Sequence, residues 1–328
     1  MSDKTLIAET VDRLEGVIPT DHIFVSTTAN YRDAMAGLLP DIPPENFIVE
    51  LEGRGPTVAF ALLAHYIRAR DPEAVVFSLA SDHAITELAK FQAAVRTSMD
   101  FVEANPTNVA LVGIKPSRPD TGLGYIRIKE RIQDDPPVYR AGKYVEKPSL
   151  EVAEDYVQSG LSYWNAAYYC FRAETLLSAY ADASPLLVEL AAEYLRTGDL
   201  ETYRRIPNQF HEIDIIDSSR YPIAVVPGDF VWSDIGNWAS LHRTLASIAG
   251  TDIVTNGDNQ FVDVNSRNVH VRSTDDRAIV VLGVKDVAII CDRDSILVAS
   301  LEELERSPDA SMRELFARLK QQGKDTLL

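Results

Sequence analysis

Apolar residues recur with two different periods along the chain, and each period predicts a different kind of element. Ile7, Val11, Leu14 and Ile18 recur at helical spacing, which predicts an amphipathic helix almost at the first residue. Beyond it, short apolar runs alternate with longer amphipathic stretches. The predicted strands are HIFVST, NFIVEL, AVVFSLASDH and NVALVGIKP, and the predicted helices are TVAFALLAHYIRA and LAKFQAAVRTSMDFVEA. Apolar strands separated by helices indicate a mostly parallel sheet that is covered on both faces.

The pattern changes near residue 120 and again near residue 246. The runs TGLGYIRI, GKYVEKP and YWNAAYYCF predict further strands, and SLEVAEDYVQSG predicts a helix. We therefore predict an α/β domain over residues 1–246, with a doubly wound, Rossmann-like sheet whose ligands bind at the carboxyl ends of its strands. Residues 247–328 are typical of a small β-domain, short and β-helix-like, that ends in a helix with Met312, Leu315, Phe316 and Leu319 on one face.

Composition and charge narrow the class of protein. The 328 residues include 32 basic and 49 acidic ones, for a net charge of −17. That balance argues against non-specific binding to nucleic acid or to anionic membranes, which needs an excess of Lys and Arg. The sequence has no apolar run of membrane length and no leader pattern, so we expect a cytoplasmic protein. Cys170 and Cys291 lie in apolar runs and are expected to be buried thiols, and the six histidines lack zinc-site spacing.

Two aspartates are candidate metal ligands. Asp82 ends the apolar run VVFSLASD, where a parallel sheet presents its ligand site, and a carboxylate there could hold Mg²⁺. The alternative is an N-cap for the next helix. Asp234 lies in VWSDIGNW and could share the same metal, or could hydrogen-bond within a turn.

The stretches TGLGY, YVEKPS and YWNAAYY carry polar groups that could hold a sugar phosphate. Glu146 and Lys147 are adjacent in an extended segment, so their side chains should point to opposite faces, although a solvated surface pair is equally in keeping with the pattern. Gly124, beside Tyr125, allows a backbone amide to approach a ligand, or simply makes a turn. Asn165 is the lone amide in an apolar run and must find partners if buried.

The stretch EGRGPTVAFALL runs from a predicted strand into a predicted helix. Glu52, Gly53, Arg54 and Gly55 fall at the turn, next to a helix N-terminus whose amides attract anions. The stretch matches neither the Walker pattern nor the dinucleotide fingerprint, so by itself it predicts only a helix start.

The order of these stretches along the chain resembles that in a known family, although no single stretch is specific for it. EGRGPTVAFALL, SLASDH, GIKPSRPDTGLGYI, YVEKP, YWNAAYYCF and VVPGDFVWSDIGNW, in that order, resemble the sugar-nucleotide pyrophosphorylases, and within them the mannose-1-phosphate guanylyltransferases. The likeness runs from about Thr5 to the end. It implies transfer of GMP from GTP to mannose 1-phosphate with release of pyrophosphate, Mg²⁺ as cofactor, and a homodimer.

The resemblance also implies roles for individual residues. Asp82 and Asp234 would bind Mg²⁺ and, with Lys147 on the sugar phosphate, would form the catalytic group. Positions implied for the sugar are Gly124, Tyr125, Glu146, Asn165 and Trp232. Positions implied for the nucleotide are Glu52, Gly53, Arg54, Thr57 and Ser81. Ala167 stands where the family usually has glycine, and Gly55-Pro56 where it usually has Asn-Thr.

One family feature is absent from the sequence. The resemblance implies a first strand and a glycine-rich loop, GGxGTRL, ahead of the first helix, and the sequence begins at that helix. We therefore expect the doubly wound sheet to lack its first strand and this chain alone to have lowered activity. Two other functions stay open. They are a non-catalytic sugar-phosphate-binding or regulatory subunit, and a glycosyltransferase using Asp292-Arg293-Asp294, which we rank last because that stretch lies far from the predicted sheet.

Overall fold

The structure is a computed structural model that describes residues 4–207, 221–256, 260–274, 277–306 and 308–324. Its helices are α1 (Leu6–Asp12), α2 (Ala29–Leu38), α3 (Pro56–Arg70), α4 (Leu88–Ala104), α5 (Leu150–Ser159), α6 (Ala173–Ala183), α7 (Pro185–Thr197), α8 (Leu200–Arg205), α9 (Trp238–Ala249), α10 (Leu301–Arg306) and α11 (Pro308–Gln321). None of these helices is both long and apolar enough to cross a membrane.

The strands fall into one large sheet and several small ones. They are β1 (Val25–Thr28), β2 (Phe47–Glu50), β3 (Val75–Ser78), β4 (Ala84–Ile85), β5 (Val109–Ile114), β6 (Tyr125–Gln133), β7 (Val138–Val145), β8 (Ser162–Arg172), β9 (Ile223–Gly228), β10 (Trp232–Ser233), β11 (Ile253–Asn256), β12 (Phe261–Val264), β13 (Arg267–Ser273), β14 (Ile279–Leu282), β15 (Lys285–Asp292) and β16 (Ser295–Ser300).

The large sheet has the strand order β3-β8-β5-β9-β7-β6. Strands β5 and β9 pair in parallel, whereas β8 and β7 run antiparallel to their neighbours. Four strands, β3, β5, β9 and β6, therefore point the same way. The predicted α/β class and its parallel strands are confirmed, and the insertion of β8 between β3 and β5 makes the sheet mixed. Strands β1 and β2 form a separate parallel pair.

Alternate residues of the central strands pack on opposite faces of this sheet. Leu111 and Val225 belong to the apolar core on the side of α3, α6 and α7. Val112 and Val226 belong to the core on the side of α4. All six residues of β5 are buried, which is why its sequence, VALVGI, is apolar without alternation.

Contacts divide the chain into two compact units. The large unit comprises residues 2–81 and 85–232, and the small unit comprises residues 82–84 and 233–328. The boundary predicted at residue 246 lies inside α9, which belongs to the small unit.

Helix α9 begins at Trp238 because Asn237 caps it. The Asn237 side chain accepts hydrogen bonds from the amides of Ala239 and Ser240, and Ser240 Oγ accepts one from the Asn237 amide.

The small unit contains the β-helix-like region that the sequence predicts. Strands β11, β13 and β15 stack in parallel, and β12 pairs in parallel with β14. Val269 pairs with Val287 and Phe261 with Ile279, so both ladders repeat after the same number of residues. The chain therefore alternates between two parallel ladders, as in a coil of a β-helix.

Two predicted elements end earlier than expected. Helix α1 stops at Asp12, and the chain continues in turns through Gly16, whose φ of +72° is a conformation that favours glycine. Strand β3 stops at Ser78, before the end of the apolar run.

Candidate active site

A polar cluster forms where β6, β7 and β8 meet in the large unit. The Asn165 amide donates a 2.8 Å hydrogen bond to the Gly124 carbonyl, and the Tyr144 hydroxyl donates one to the Glu146 carboxylate. A Cβ on Gly124 would lie 2.5 Å from Tyr144 Oη and 2.7 Å from Glu146 Oε2. Any side chain there would displace Tyr144 and Glu146, so glycine lets the backbone lie close to the Glu146 carboxylate. We call Gly124, Tyr144, Glu146 and Asn165 the Gly124 cluster.

The Asn165 side chain is held by its own strand. Its Nδ2 donates a 3.0 Å hydrogen bond to the Tyr169 hydroxyl, and its Oδ1 accepts a 3.0 Å bond from the Ala167 amide. Each of these amide atoms keeps capacity for one further hydrogen bond. Ala167 has a φ of +56°, a left-handed conformation that favours glycine. This explains why glycine is usual at that position in the family that the sequence resembles.

Glu146 and Lys147 follow directly after β7, and both are exposed. The expectation that both residues are extended is wrong for Lys147, which has a φ of +45°. Pro148, next in sequence, is buried and fixes the end of the segment. The exposed Lys147 therefore takes a left-handed conformation directly after Glu146, a member of the Gly124 cluster.

Tyr125 and Trp232 are buried, as is Gly124, whereas Glu146 is exposed. Tyr125 has no exposed surface, and its hydroxyl accepts a 2.9 Å hydrogen bond from the Asp120 amide. Its ring lies 5.3 Å from that of Tyr156, and the Trp232 ring lies 6.5 Å from that of Trp164. In this structure Tyr125 supports the turn over residues 120–124.

The predicted nucleotide residues surround the start of α3. Gly55, with a φ of +84°, precedes Pro56 at the first position of the helix. Arg54 Nη2 donates a 2.7 Å hydrogen bond to the Ile206 carbonyl, and Glu52 forms a 2.5 Å ion pair with Arg204. Thr57 is fully buried. The turn is thus tied to the chain around α8 at two points.

Sequence reasoning missed a buried carboxyl that holds this turn. Glu50, at the end of β2, is 8% exposed and lies 3.1 Å from the Tyr203 hydroxyl and 3.3 Å from Ser26 Oγ. The same Tyr203 hydroxyl donates to the Glu52 carbonyl. Burial raises the pKa of Glu50 above its ordinary value. The signal in the sequence is a single acid that closes the apolar run FIVE.

The two predicted metal ligands lie in the small unit, at one end of the β4–β10 ladder. The Thr86 amide bonds the Val231 carbonyl, while Ala84–Ile85 pairs with Trp232–Ser233, so the two strands run antiparallel. Asp82, just before β4, and Asp234, just after β10, therefore lie on adjacent segments. The Asp82 side chain is 78% exposed, and its Oδ1 lies 3.9 Å from His83 Nε2. Helix α4 is preceded by Glu87, so the alternative role of Asp82 as its N-cap is wrong.

Asp234 is half-buried, and Gly236 packs against it. A Cβ on Gly236 would lie 2.9 Å from Asp234 Oδ2. Within the described ranges, the chain has no group of three or more His, Cys, Asp or Glu side chains placed to hold a metal. Two carboxylates on adjacent segments nevertheless suit Mg²⁺, which binds through one or two carboxylates and completes its shell with water and phosphate.

The remaining predicted sites are Ser81 and the stretch Asp292-Arg293-Asp294. Ser81 is exposed in the large unit. The stretch Asp292-Arg293-Asp294 forms a hairpin, because Asp292 pairs with Ser295 across β15 and β16. Asp292 Oδ1 accepts hydrogen bonds from Thr274 Oγ1 at 2.5 Å and from the Arg293 amide at 2.8 Å. That carboxylate therefore closes a turn, which weakens the glycosyltransferase alternative.

The nucleotidyl transferase family matches residues 1–250, and the chain belongs to that family. The prediction of a nucleotidyltransferase enzyme is thereby confirmed.

The similar proteins within this family have names that specify a substrate. The chain is 29% identical to a mannose-1-phosphate guanylyltransferase from Escherichia coli (strain K12), over 98% of this chain and 68% of the relative. It is 32% identical to the mannose-1-phosphate guanylyltransferase ManC from Salmonella typhimurium (strain LT2), over 90% of this chain and 63% of the relative. The chain thus spans about two thirds of the length of these relatives.

A solved structure shows the same fold. It is described as mannose-1-phosphate geranyltransferase from Thermus thermophilus, and it is 25% identical to this chain with a TM-score of 0.83. The similarity covers 97% of this chain and 90% of that one.

Proposed function

We propose that the chain is a mannose-1-phosphate guanylyltransferase, which transfers GMP from GTP to mannose 1-phosphate and gives GDP-mannose and pyrophosphate. The observation that carries the proposal is the Gly124 cluster beside Lys147. There a glycine backbone, a carboxylate and an amide converge, and the exposed Lys147 follows the carboxylate of Glu146 in the chain. That combination suits a ligand that bears several hydroxyls and one phosphate. The names of the similar proteins from Escherichia coli and Salmonella typhimurium support the choice of sugar and nucleotide.

On the sugar side, each group has a distinct task in the proposal. The Glu146 carboxylate accepts hydrogen bonds from sugar hydroxyls, and the Asn165 amide, already oriented by Tyr169 and Ala167, provides one further donor and one further acceptor. The Lys147 ammonium forms an ion pair with the phosphate. Its flexible side chain lets this compact charge adjust to the position of the phosphate. Gly124 leaves room beside its backbone for the Tyr144 hydroxyl and for the Glu146 carboxylate that receives the sugar hydroxyls.

On the nucleotide side, the turn over residues 52–55 and the start of α3 take the base and ribose. The first amides of a helix lack partners within the helix and attract negative or electron-rich groups. Arg54 and the Glu50–Tyr203 pair hold this turn in place before the nucleotide arrives. Such preorganisation lowers the entropic cost of binding.

The proposed chemistry is an in-line displacement at phosphorus. A phosphate oxygen of mannose 1-phosphate attacks the α-phosphorus of GTP, the bond to the bridging oxygen breaks, and pyrophosphate leaves with the electron pair. Catalysis then consists of positioning the two substrates and of neutralising charge. Asp82 and Asp234 would hold Mg²⁺, which supplies charge neutralisation on the phosphates when bound.

The proposal is tested by titration calorimetry with mannose 1-phosphate. We expect Lys147→Met to weaken binding about tenfold, which corresponds to about 1.4 kcal/mol. Lys143→Met is the matched control, because Lys143 is an exposed lysine on β7 outside the Gly124 cluster. Equal effects of the two substitutions, or no binding of mannose 1-phosphate by the unmodified chain, would overturn the assignment. Binding without formation of GDP-mannose would instead favour a non-catalytic sugar-phosphate-binding subunit.

A further inference from the structure

Two buried histidines of the small unit lie side by side and have no part in the proposed reaction. His242, on α9, is 4% exposed, and His270, on β13, is 0% exposed. Their ring centroids lie 5.8 Å apart, with an interplanar angle of 78°. His242 Nδ1 and both ring nitrogens of His270 are buried and have no hydrogen-bond partner among the described residues. We call these two residues the histidine pair.

Unpartnered ring nitrogens of this kind are unusual in a folded protein. A neutral imidazole has one N–H donor and one acceptor nitrogen, so His270 buries one of each without a partner. Most buried polar atoms have a partner, because removing them from water without a hydrogen bond is costly. His65, a buried histidine of α3, shows the usual situation, since its Nε2 lies 3.0 Å from the Val188 carbonyl. The histidine pair therefore points to a bound group.

A chain of hydrogen bonds fixes the protonation of His242. The Asp286 carboxylate only accepts hydrogen bonds, and Asn268 donates to it through Nδ2 at 2.6 Å. The other amide atom, Asn268 Oδ1, lies 2.7 Å from His242 Nε2. Because that oxygen accepts, Nε2 carries the proton and Nδ1 keeps its lone pair. His242 thus presents a buried ligand nitrogen to its surroundings.

This arrangement is typical of histidines that bind metal ions. A ligating histidine commonly donates its other ring N–H to a carbonyl or carboxylate, which fixes the tautomer and the ring orientation. For His242 that partner is Asn268, which Asp286 orients in turn. Burial, together with His242 and Arg272, lowers the pKa of His270 to about 4, so His270 is neutral at pH 7, as a metal ligand must be.

The spacing of the two rings also fits a shared ion. A metal ion about 2 Å from one nitrogen of each ring sets the ring centroids about 6 Å apart. The observed separation of 5.8 Å is close to that value. A small movement of either side chain therefore suffices to close the site.

The surroundings favour an ion of low charge that needs few ligands. Structural zinc takes four protein ligands, but the described ranges contain no group of three or more His, Cys, Asp or Glu placed to hold a metal. Arg272 lies 5.9 Å from the ring of Trp238, which packs against His270, and its positive charge disfavours a divalent ion more than a monovalent one. Monovalent copper meets both conditions, because it forms two-coordinate complexes and imidazole suits copper.

We propose that the histidine pair binds monovalent copper, with His242 Nδ1 and one ring nitrogen of His270 as its two ligands. The ion gives a partner to the lone pair of His242 and to one of the two buried nitrogens of His270. Both ligands are neutral, and the Asp286 carboxylate, joined to His242 through Asn268, offsets the charge of the ion. The inference is independent of the proposed function, because it uses none of the residues assigned to sugar, nucleotide or Mg²⁺.

The test uses the untagged full chain without oxygen, with copper(I) supplied as its coloured bicinchoninate complex. We expect the chain to withdraw about one copper(I) from the complex, seen as loss of colour. X-ray absorption should then show a first shell of nitrogen without sulfur. The proposal fails if the chain withdraws no copper. It also fails if the shell contains sulfur, because a cysteine or methionine would then hold the ion.

Variants of the two histidine types locate the ion. His242→Leu removes a ligand and should lower the affinity for copper(I) at least about 100-fold. His22→Leu is the control, because His22 is an exposed histidine in the large unit and should leave the affinity unchanged. Circular dichroism checks that both variants fold. Equal affinities of these two variants would overturn the assignment.

A second pair of variants tests the positioning role of Asn268 without touching a ligand. Asn268→Gly keeps the left-handed backbone, with its φ of +51°, but releases His242 Nε2, so the affinity for copper(I) should fall about tenfold. Asn265→Gly is the matched control, because Asn265 has a φ of +56° and is exposed. The same affinity in both asparagine variants would show that Asn268 does not orient a metal ligand.

Discussion

At the scale of single residues, Ala167 carries a local strain that the sequence pattern does not reveal. Its φ of +56° is left-handed, a conformation that costs an L-residue about 1–2 kcal/mol and glycine much less. We expect Ala167→Gly to raise the free energy of unfolding by about 1 kcal/mol. The measurement is urea unfolding of the variant and the unmodified chain.

The neighbouring alanine provides a matched control, for which the change in the free energy of unfolding should have the opposite sign. Ala166 is fully buried in the same strand and has no positive φ, so Ala166→Gly should lower the free energy of unfolding by about 1 kcal/mol. Equal destabilisation by the two substitutions would show that Ala167 is not strained.

A second residue-scale prediction concerns the hydroxyl of Tyr203. It contacts both the Glu50 carboxyl and the Glu52 carbonyl, so Tyr203→Phe releases the turn before α3 while keeping the ring. Under the proposed function, we expect KM for GTP to rise about fivefold, with KM for mannose 1-phosphate unchanged. Tyr194→Phe is the control, because the Tyr194 ring packs 4.8 Å from that of Tyr203 while its hydroxyl donates to the Val49 carbonyl, at 3.4 Å. A rise in both KM values, or the same rise in the control, would contradict a role in holding the nucleotide turn.

At the scale of elements, the buried histidine of β13 makes the small unit sensitive to acid. His270 has no exposed surface, and burial, together with the nearby His242 and Arg272, lowers its pKa to about 4. In the unfolded chain the same group has a pKa of about 6.5 and binds its proton first as the pH falls. Stability should therefore fall as the pH drops from about 6.5 to about 4, by about 3 kcal/mol through this group.

The histidine prediction is checked by unfolding His270→Leu at about pH 7 and about pH 4. The variant should lose about 3 kcal/mol less between these conditions than the unmodified chain. His22→Leu, at an exposed histidine, should behave like the unmodified chain. An equal loss of stability in His270→Leu and the unmodified chain would show that His270 does not titrate in this way.

Elements with a strong local period were predictable, and their arrangement was not. The run LAKFQAAVRTSMDFVEA coincides with α4, because one face of that helix is continuously apolar. The run YWNAAYYCF predicts β8, but nothing local places that strand antiparallel between β3 and β5. Helix α1 ends at Asp12, and the turns that follow lead to Gly16, whose positive φ the apolar spacing does not encode. Pairing between distant strands is a property of the whole sheet.

The candidate site was likewise predictable from the sequence only in part. Each of Gly124, Glu146 and Asn165 had an equally good structural explanation when taken singly, and only the order of the motifs pointed to one site. The structure brings these three together through the contacts with Tyr144 and Tyr169. Glu50 and Tyr203 were missed because they meet across more than 150 residues of sequence. The catalytic and binding roles of the predicted residues remain predictions.

At the scale of the whole molecule, the family match places the chain among the nucleotidyl transferases, and each group of predicted site residues lies within one of the two units. The Gly124 cluster and the turn before α3 lie in the large unit, and Asp82 and Asp234 lie in the small unit. The strong negative charge of −17 makes local cations such as Lys147 and Arg54 important for any phosphate ligand.

The most direct test of the central claim is formation of GDP-mannose from GTP and mannose 1-phosphate, followed by chromatography. We expect the chain to form GDP-mannose with Mg²⁺ and to stop when the metal is chelated. Asp234→Asn should lower the rate about 100-fold, whereas Asp229→Asn, at an exposed aspartate nearby, should change it less than about twofold. Absence of GDP-mannose, or equal rates in the two variants, would contradict the account.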